Sequence, residues 1–149
     1  MNEDLEVTLD DIPVDIGWRL ARWFLEAGAT DFTFACISAR STEPAFCRAA
    51  DLALSAYRVP NADEFSRGRA PAPPAKRWLL NEASLEVLRT LLPDGLLTDR
   101  QGAATGWIED LTICQSGRDR LRVNTHEHFV ALYVSEVELQ QLRDANLID

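Results

Sequence analysis

Two histidines and one carboxylate are the residues of this chain best suited to chemistry. His126 and His128 are the only imidazoles in 149 residues, and they stand two positions apart. They fall within Trp107–Val134, WIEDLTICQSGRDRLRVNTHEHFVALYV, which reads as one long β-hairpin. Side chains alternate across a strand, so residues i and i+2 share a face and the two imidazoles are expected to point the same way. The turn must involve Gly117. A three-residue loop, Gly117-Arg118-Asp119, pairs Ile113 with Val123 and Gln115 with Leu121. It gathers Trp107, Leu111, Ile113, Leu121, Val123 and Phe129 on one face. Asp110, Thr112, Cys114, Arg122, Asn124, His126 and His128 then share the other, with Asp110 opposite His126. Burial of one face is what fixes a register, so this pairing is preferred.

A His-x-His pair beside a carboxylate is a spacing used by zinc, iron and manganese sites. The same trio could instead run acid–base chemistry, with Asp110 orienting His126 as the base. Set against both is a plain solvated sheet face, since a metal centre ordinarily needs three protein ligands and a shaped pocket. That plain reading carries more weight. Cys114 with His126 could be drawn as nucleophile and base only if the thiol were acidic and accessible. The chain has no nucleophile elbow and no phosphate-binding or dinucleotide-binding glycine loop.

Charge narrows the partners. The net charge of −9 argues against nucleic acid, because phosphate binding needs a basic surface. Glu3, Asp4, Glu6, Asp10, Asp11 and Asp15 load the first fifteen residues with acids and no base. Arg67, Arg69, Lys76 and Arg77 do the opposite between residues 66 and 77. Lys76 is the single lysine beside fourteen arginines, a bias expected of a G+C-rich bacterial genome. Hydrophobic residues at 46% and charged ones at 26% are those of a globular domain. No apolar run approaches the roughly 20 residues of a membrane span, and the acidic N-terminus does not read as a signal peptide. Cys36, Cys47 and Cys114 lack any C-x-x-C spacing and are expected to be reduced, buried hydrophobes. The expected compartment is therefore the bacterial cytoplasm.

The elements that must position these residues follow from periodicity. LEVTL near the N-terminus suits a short strand. Ile12, Ile16, Leu20, Trp23, Phe24 and Ala27 form a helical stripe, stopped by Gly28. Trp18 lies off that stripe, either half-buried or part of a binding patch. Residues 31–39 make a strand. A second helix, capped by Ser41 or Thr42, buries Phe46, Ala50, Ala53, Leu54 and Tyr57. Residues 59–77 carry four prolines and the SRGR run, so they are expected to be a mobile loop or a basic arm. Asn81 caps a third helix burying Leu85, Leu88, Leu91 and Leu92. Ser135 and Glu138 form a capping box for the last helix, which Asn146 stops.

The expected fold is a single α+β domain: a small, mostly antiparallel sheet with about four helices packed on it. The expected function is that of a non-enzymatic acidic protein-binding module of the bacterial cytosol, with a profile analogous to immunity proteins and secretion chaperones. Its partner would be another protein, basic in character, met through Trp18, Arg67, Arg69 or Arg122, with no cofactor, nucleic acid or membrane involved. Homo-oligomers through a sheet edge or Trp18 are compatible with this. The alternative is a small metal-dependent enzyme or metal-binding protein, holding a transition metal such as zinc on Asp110, His126 and His128.

Overall fold

The computed structural model describes residues 3–38, 45–60, 76–97 and 106–149. In chain order the elements are β1 (Leu5–Asp10), α1 (Val14–Glu26), β2 (Asp31–Ser38), α2 (Ala45–Ala53), β3 (Trp78–Leu79) and α3 (Glu82–Leu91). They continue as β4 (Gly106–Gln115), β5 (Arg118–Asn124), β6 (Phe129–Val134) and α4 (Glu136–Asp144). The strands form one antiparallel sheet in the order β1-β6-β5-β4-β2-β3. The α+β class with four helices on an antiparallel sheet is therefore what the chain adopts.

Register shows how two faces arise. One row of paired residues, Val7–Leu132–Leu121–Ile113–Phe32–Trp78, crosses the whole sheet and is apolar throughout. It belongs to the core cluster that also takes in Trp18, Leu20 and Phe24 of α1, Leu85 and Leu88 of α3, and Leu142 of α4. Phe46 of α2 packs against the same cluster. The neighbouring row, Thr8–Ala131–Arg122–Thr112–Thr33, faces the other way because strand side chains alternate.

The helix ends follow their local signals. Asn81 caps α3, where Ser84 completes a capping box, and the expected box of Ser135 with Glu138 forms at α4. Asn146 takes the left-handed stop at φ 53°. Gly28, at φ 104°, ends α1 with Gly28 N–H donating to Leu25 O and Ala29 N–H to Phe24 O. The stripe of α1 is rotated from the expected one. Its buried residues are Gly17, Trp18, Leu20, Ala21 and Phe24, so Trp18 is core and Ala27 is exposed.

The expected hairpin is a three-stranded meander. Ser116 and Gly117, at φ 51° and 77°, make a two-residue turn that pairs Gln115 with Arg118. Continued unbroken, that turn would set Arg120 opposite Ile113. Arg120 is instead bulged, with no partner residue on β4, and Leu121 moves opposite Ile113. The three-residue loop and the Ile113–Val123 pairing are thereby corrected. The apolar face is kept all the same, because the bulge restores what the shorter turn removes. A second bulge at Asp110, φ 54°, changes the phase of β4. Trp107 and Glu109 precede it on the outer face, whereas Trp107 was expected inside. Phe129, opposite Asn124, also lies outside.

Cys36 and Cys47 are joined in a disulfide, Cα atoms 5.8 Å apart, which ties the end of β2 to the first turn of α2. This corrects the expectation of three reduced thiols, of which only Cys114 is free and buried. The cysteine argument for a reducing compartment goes with it, since a disulfide persists where thiols are oxidised. No helix among the described residues is long and apolar enough to cross a membrane. The Pro/Arg-rich segment falls largely on residues 61–75, outside the described residues. Its flanks are fixed: Val59 N–H donates to Arg77 O, and Thr33 Oγ1 to Lys76 O.

Candidate functional site

The outer face between β4, β5 and the turn after β5 holds an open depression of about 470 Å³, lined by Asp110, Thr112, Arg122, Asn124 and His126 among others. Five members of the expected polar face are thus brought together. His128 is not among the lining residues. The two histidines lie in the turn 125–128 rather than on a strand, and His128 occupies a left-handed position at φ 57°. Strand alternation therefore does not govern them. Asn124 Oδ1 accepts from Glu127 N–H at 3.1 Å, the side-chain-to-backbone bond that favours a turn over a continuing strand.

The carboxylate beside His126 is Glu109, not Asp110. His126 Nε2 lies 3.1 Å from Glu109 Oε2, and Trp107 Nε1–H donates to Glu109 Oε1 at 2.7 Å. The imidazole side chain is 57% exposed and the carboxylate 6% exposed. Asp110 turns instead to Thr125: its N–H donates to Thr125 Oγ1 at 3.0 Å, and its Oδ1 accepts from Thr125 N–H at 3.3 Å. The three-ligand set of Asp110, His126 and His128 does not assemble. Among the described residues, no group of three or more His, Cys, Asp or Glu side chains is placed to hold a metal. What remains is a buried acid orienting an exposed imidazole. Sequence reasoning missed Glu109, because the bulge that selects it over Asp110 has no sequence signature.

The residues expected to bind a partner separate. Arg122 stands on the outer face. Trp18 is only 9% exposed and forms part of the floor of a groove between α1 and α3, with Arg89 6.0 Å over its ring. Arg67 and Arg69 lie outside the described residues. Arg77 and Lys76 are not free basic groups: Arg77 forms a buried pair with Asp31 at 2.8 Å, and Lys76 pairs with Asp51.

A cluster that sequence reasoning missed lies at the other end of the meander. The bulged Arg120 donates from Nε to Tyr133 O at 3.1 Å, from Nη1 to Gln115 Oε1 at 2.6 Å and from Nη2 to Glu138 Oε1 at 2.6 Å. Burial raises the Glu138 pKa, but the Ser135 N–H bond, the Arg120 bond and charge, and the Ser135 hydroxyl together bring it below its ordinary value. A fully engaged cation against an ionised acid, under the core ring of Phe24, is structural.

The outer face as a whole has a definite composition. Trp107, Phe129 and Tyr133 are half-buried there and belong to neither the core nor its packing shell. Glu6, paired with Tyr133, and Asp10, paired with Phe129, flank the two β6 aromatics as exposed acids on β1, while Trp107 lies on β4. Compared with protein-family models, with curated proteins and with solved structures, the chain matches none.

Proposed function

We propose that this is an acidic, non-enzymatic protein-binding module, of immunity-protein or secretion-chaperone type, whose outer sheet face receives a basic protein. The observation that carries the reading is the pair of half-buried aromatics Phe129 and Tyr133 on β6, facing the exposed acids Asp10 and Glu6 of β1, with half-buried Trp107 on β4 of the same face, on the side of the sheet away from the helical core. Aromatic side chains at the centre with a polar rim are the anatomy of protein interfaces, and a few such rings carry most of the binding energy. The net charge of −9 would speed encounter with a basic partner and disfavour acidic ones. The depression at His126 fits the same reading as part of the rim, since it is open and lined by Asp110, Thr112, Arg122, Asn124 and His126.

The test is capture of partners from a lysate by the purified protein, compared with the double variant Phe129→Ala/Tyr133→Ala and with Glu6→Lys. One defined protein should be retained at low salt, be released as salt is raised, and be lost with the double variant. Retention that is indifferent to both variants, or no retention at all, removes the reading.

A further inference from the structure

The outermost strand and the groove beside it describe the partner more closely. Strand β1 is the terminal strand of the sheet, paired with β6 on one side and with no described strand on the other. Its sequence, LEVTLD, contains no proline, no lysine and no glycine, and its pairing with β6 runs unbroken over six residues. Bulges, prolines and charged side chains are the usual protections of an exposed edge, and this edge has only the two acids Glu6 and Asp10, which disfavour its own copy but not a basic strand. The opposite edge, β3, is two residues long.

Beside the end of β1 lies a groove of about 490 Å³ on the helix side of the sheet, where Leu9, Ile12, Ile16 and Ile148 supply apolar surface among the acids Asp10, Asp11 and Asp149. Leu9 pairs with the core residue Val130, so it faces this groove, whereas Glu6 faces outward, and Thr8 and Asp10, on the same outward row, border the groove at its rim. We infer that the edge of β1 accepts an extended segment of the basic partner as a seventh strand, with apolar side chains entering the groove and alternate Lys or Arg side chains meeting Glu6 and Asp10. Main-chain bonds along the edge supply affinity in such strand addition, and the alternation of side chains supplies selectivity. A second copy of this chain is the poorer occupant, because the edge acids Glu6 and Asp10 of both copies would be brought along one seam. This inference rests on the protein-binding reading and names the segment that reading lacks.

The probe is a capped octapeptide of alternating lysine and valine, titrated at low salt into the isotopically labelled full chain. Saturable shifts are expected on the amides of Leu5–Asp10 and the methyl groups of Ile12 and Ile16, with slowed exchange of β1 amides. The double variant Glu6→Lys/Asp10→Lys should weaken binding at least tenfold, and an alternating glutamate–valine peptide should not saturate. The Phe129→Ala/Tyr133→Ala variant should keep the peptide response. Equal response to both peptides, shifts centred elsewhere, or self-association through β1 in sedimentation overturns the inference. If the octapeptide gives no response while lysate capture still depends on Phe129 and Tyr133, strand addition fails and the protein-binding reading stands. A peptide response without any captured partner is the reverse case.

Discussion

The two ends of the β4–β5–β6 meander each place a cationic or protonatable group against a carboxylate, with opposite surroundings. At the Ser116–Gly117 end, Arg120 sits beside α1 and α4 and spends its donors on Tyr133, Gln115 and Glu138. At the 125–128 end, His126 stands in solvent while its acid, Glu109, is buried under the sheet surface and also held by Trp107. The first arrangement is a joint between sheet and helices. The second is a surface group on a rigid base. A nitrogen donor set against a carboxylate thus becomes scaffold or surface according to which side of the sheet the core occupies.

The largest expected effect breaks the first joint. Arg120→Ala leaves Glu138 and Gln115 without their partner in a partly buried place, and should cost about 2–4 kcal/mol of unfolding free energy in urea titration. A loss under about 1 kcal/mol would mean that the cluster is no more structural than the His126 corner. Next comes the covalent tie at the opposite end of β4, where Cys36 pairs with Ile108. Closing a loop of eleven residues is worth about 2–3 kcal/mol in the chain-entropy account. Reduction, or Cys47→Ser, should lower the melting temperature and speed exchange at Ile108 and Glu109 before it does so at Ile113 and Leu121. Uniform loss of protection would show that the two ends are not independent.

A smaller effect follows from protonation of Glu138. A carboxyl whose folded pKa is depressed contributes stability that is present above its ordinary value of 4.5 and lost as pH falls through the folded value. Stability measured from pH 6 downward should therefore decline below about 4.5, and Glu138→Gln should flatten that decline while lowering the neutral plateau. A decline unchanged by the substitution would assign the acid sensitivity to other carboxylates.

The contrast also explains what the sequence disclosed. Caps and stops were legible because they depend on neighbours three or four residues away: Asn81, Ser135 with Glu138, Gly28, Asn146. The apolar row was legible in β5, where Leu121 and Val123 keep period 2, but not in β6, because the turn 125–128 inverts the phase and puts Phe129 outside. Trp107 was misplaced because the Asp110 bulge inverts the phase of β4, and a bulge depends on what lies opposite rather than on its own residues. For the same reason Glu109, not Asp110, meets His126. The Cys36–Cys47 bond was hidden for a related cause: which cysteines meet depends on how α2 lies over β2, and spacing alone does not state it. Arg77 read as part of a basic arm because its acid, Asp31, is 46 residues away in sequence.

The smallest prediction sharpens the comparison from its other side. His126→Ala should change stability by no more than about 0.5 kcal/mol, since the imidazole is mostly in water and Glu109 keeps its bond from Trp107. Glu109→Ala should cost more than His126→Ala, because it leaves the Trp107 N–H without its acceptor at a half-buried position. The ordering tests the description of this corner: a rigid buried acid carrying an exposed, replaceable imidazole. If His126→Ala were the costlier change, the imidazole would be part of the scaffold, and the outer face around it would have to be counted with the core it was distinguished from.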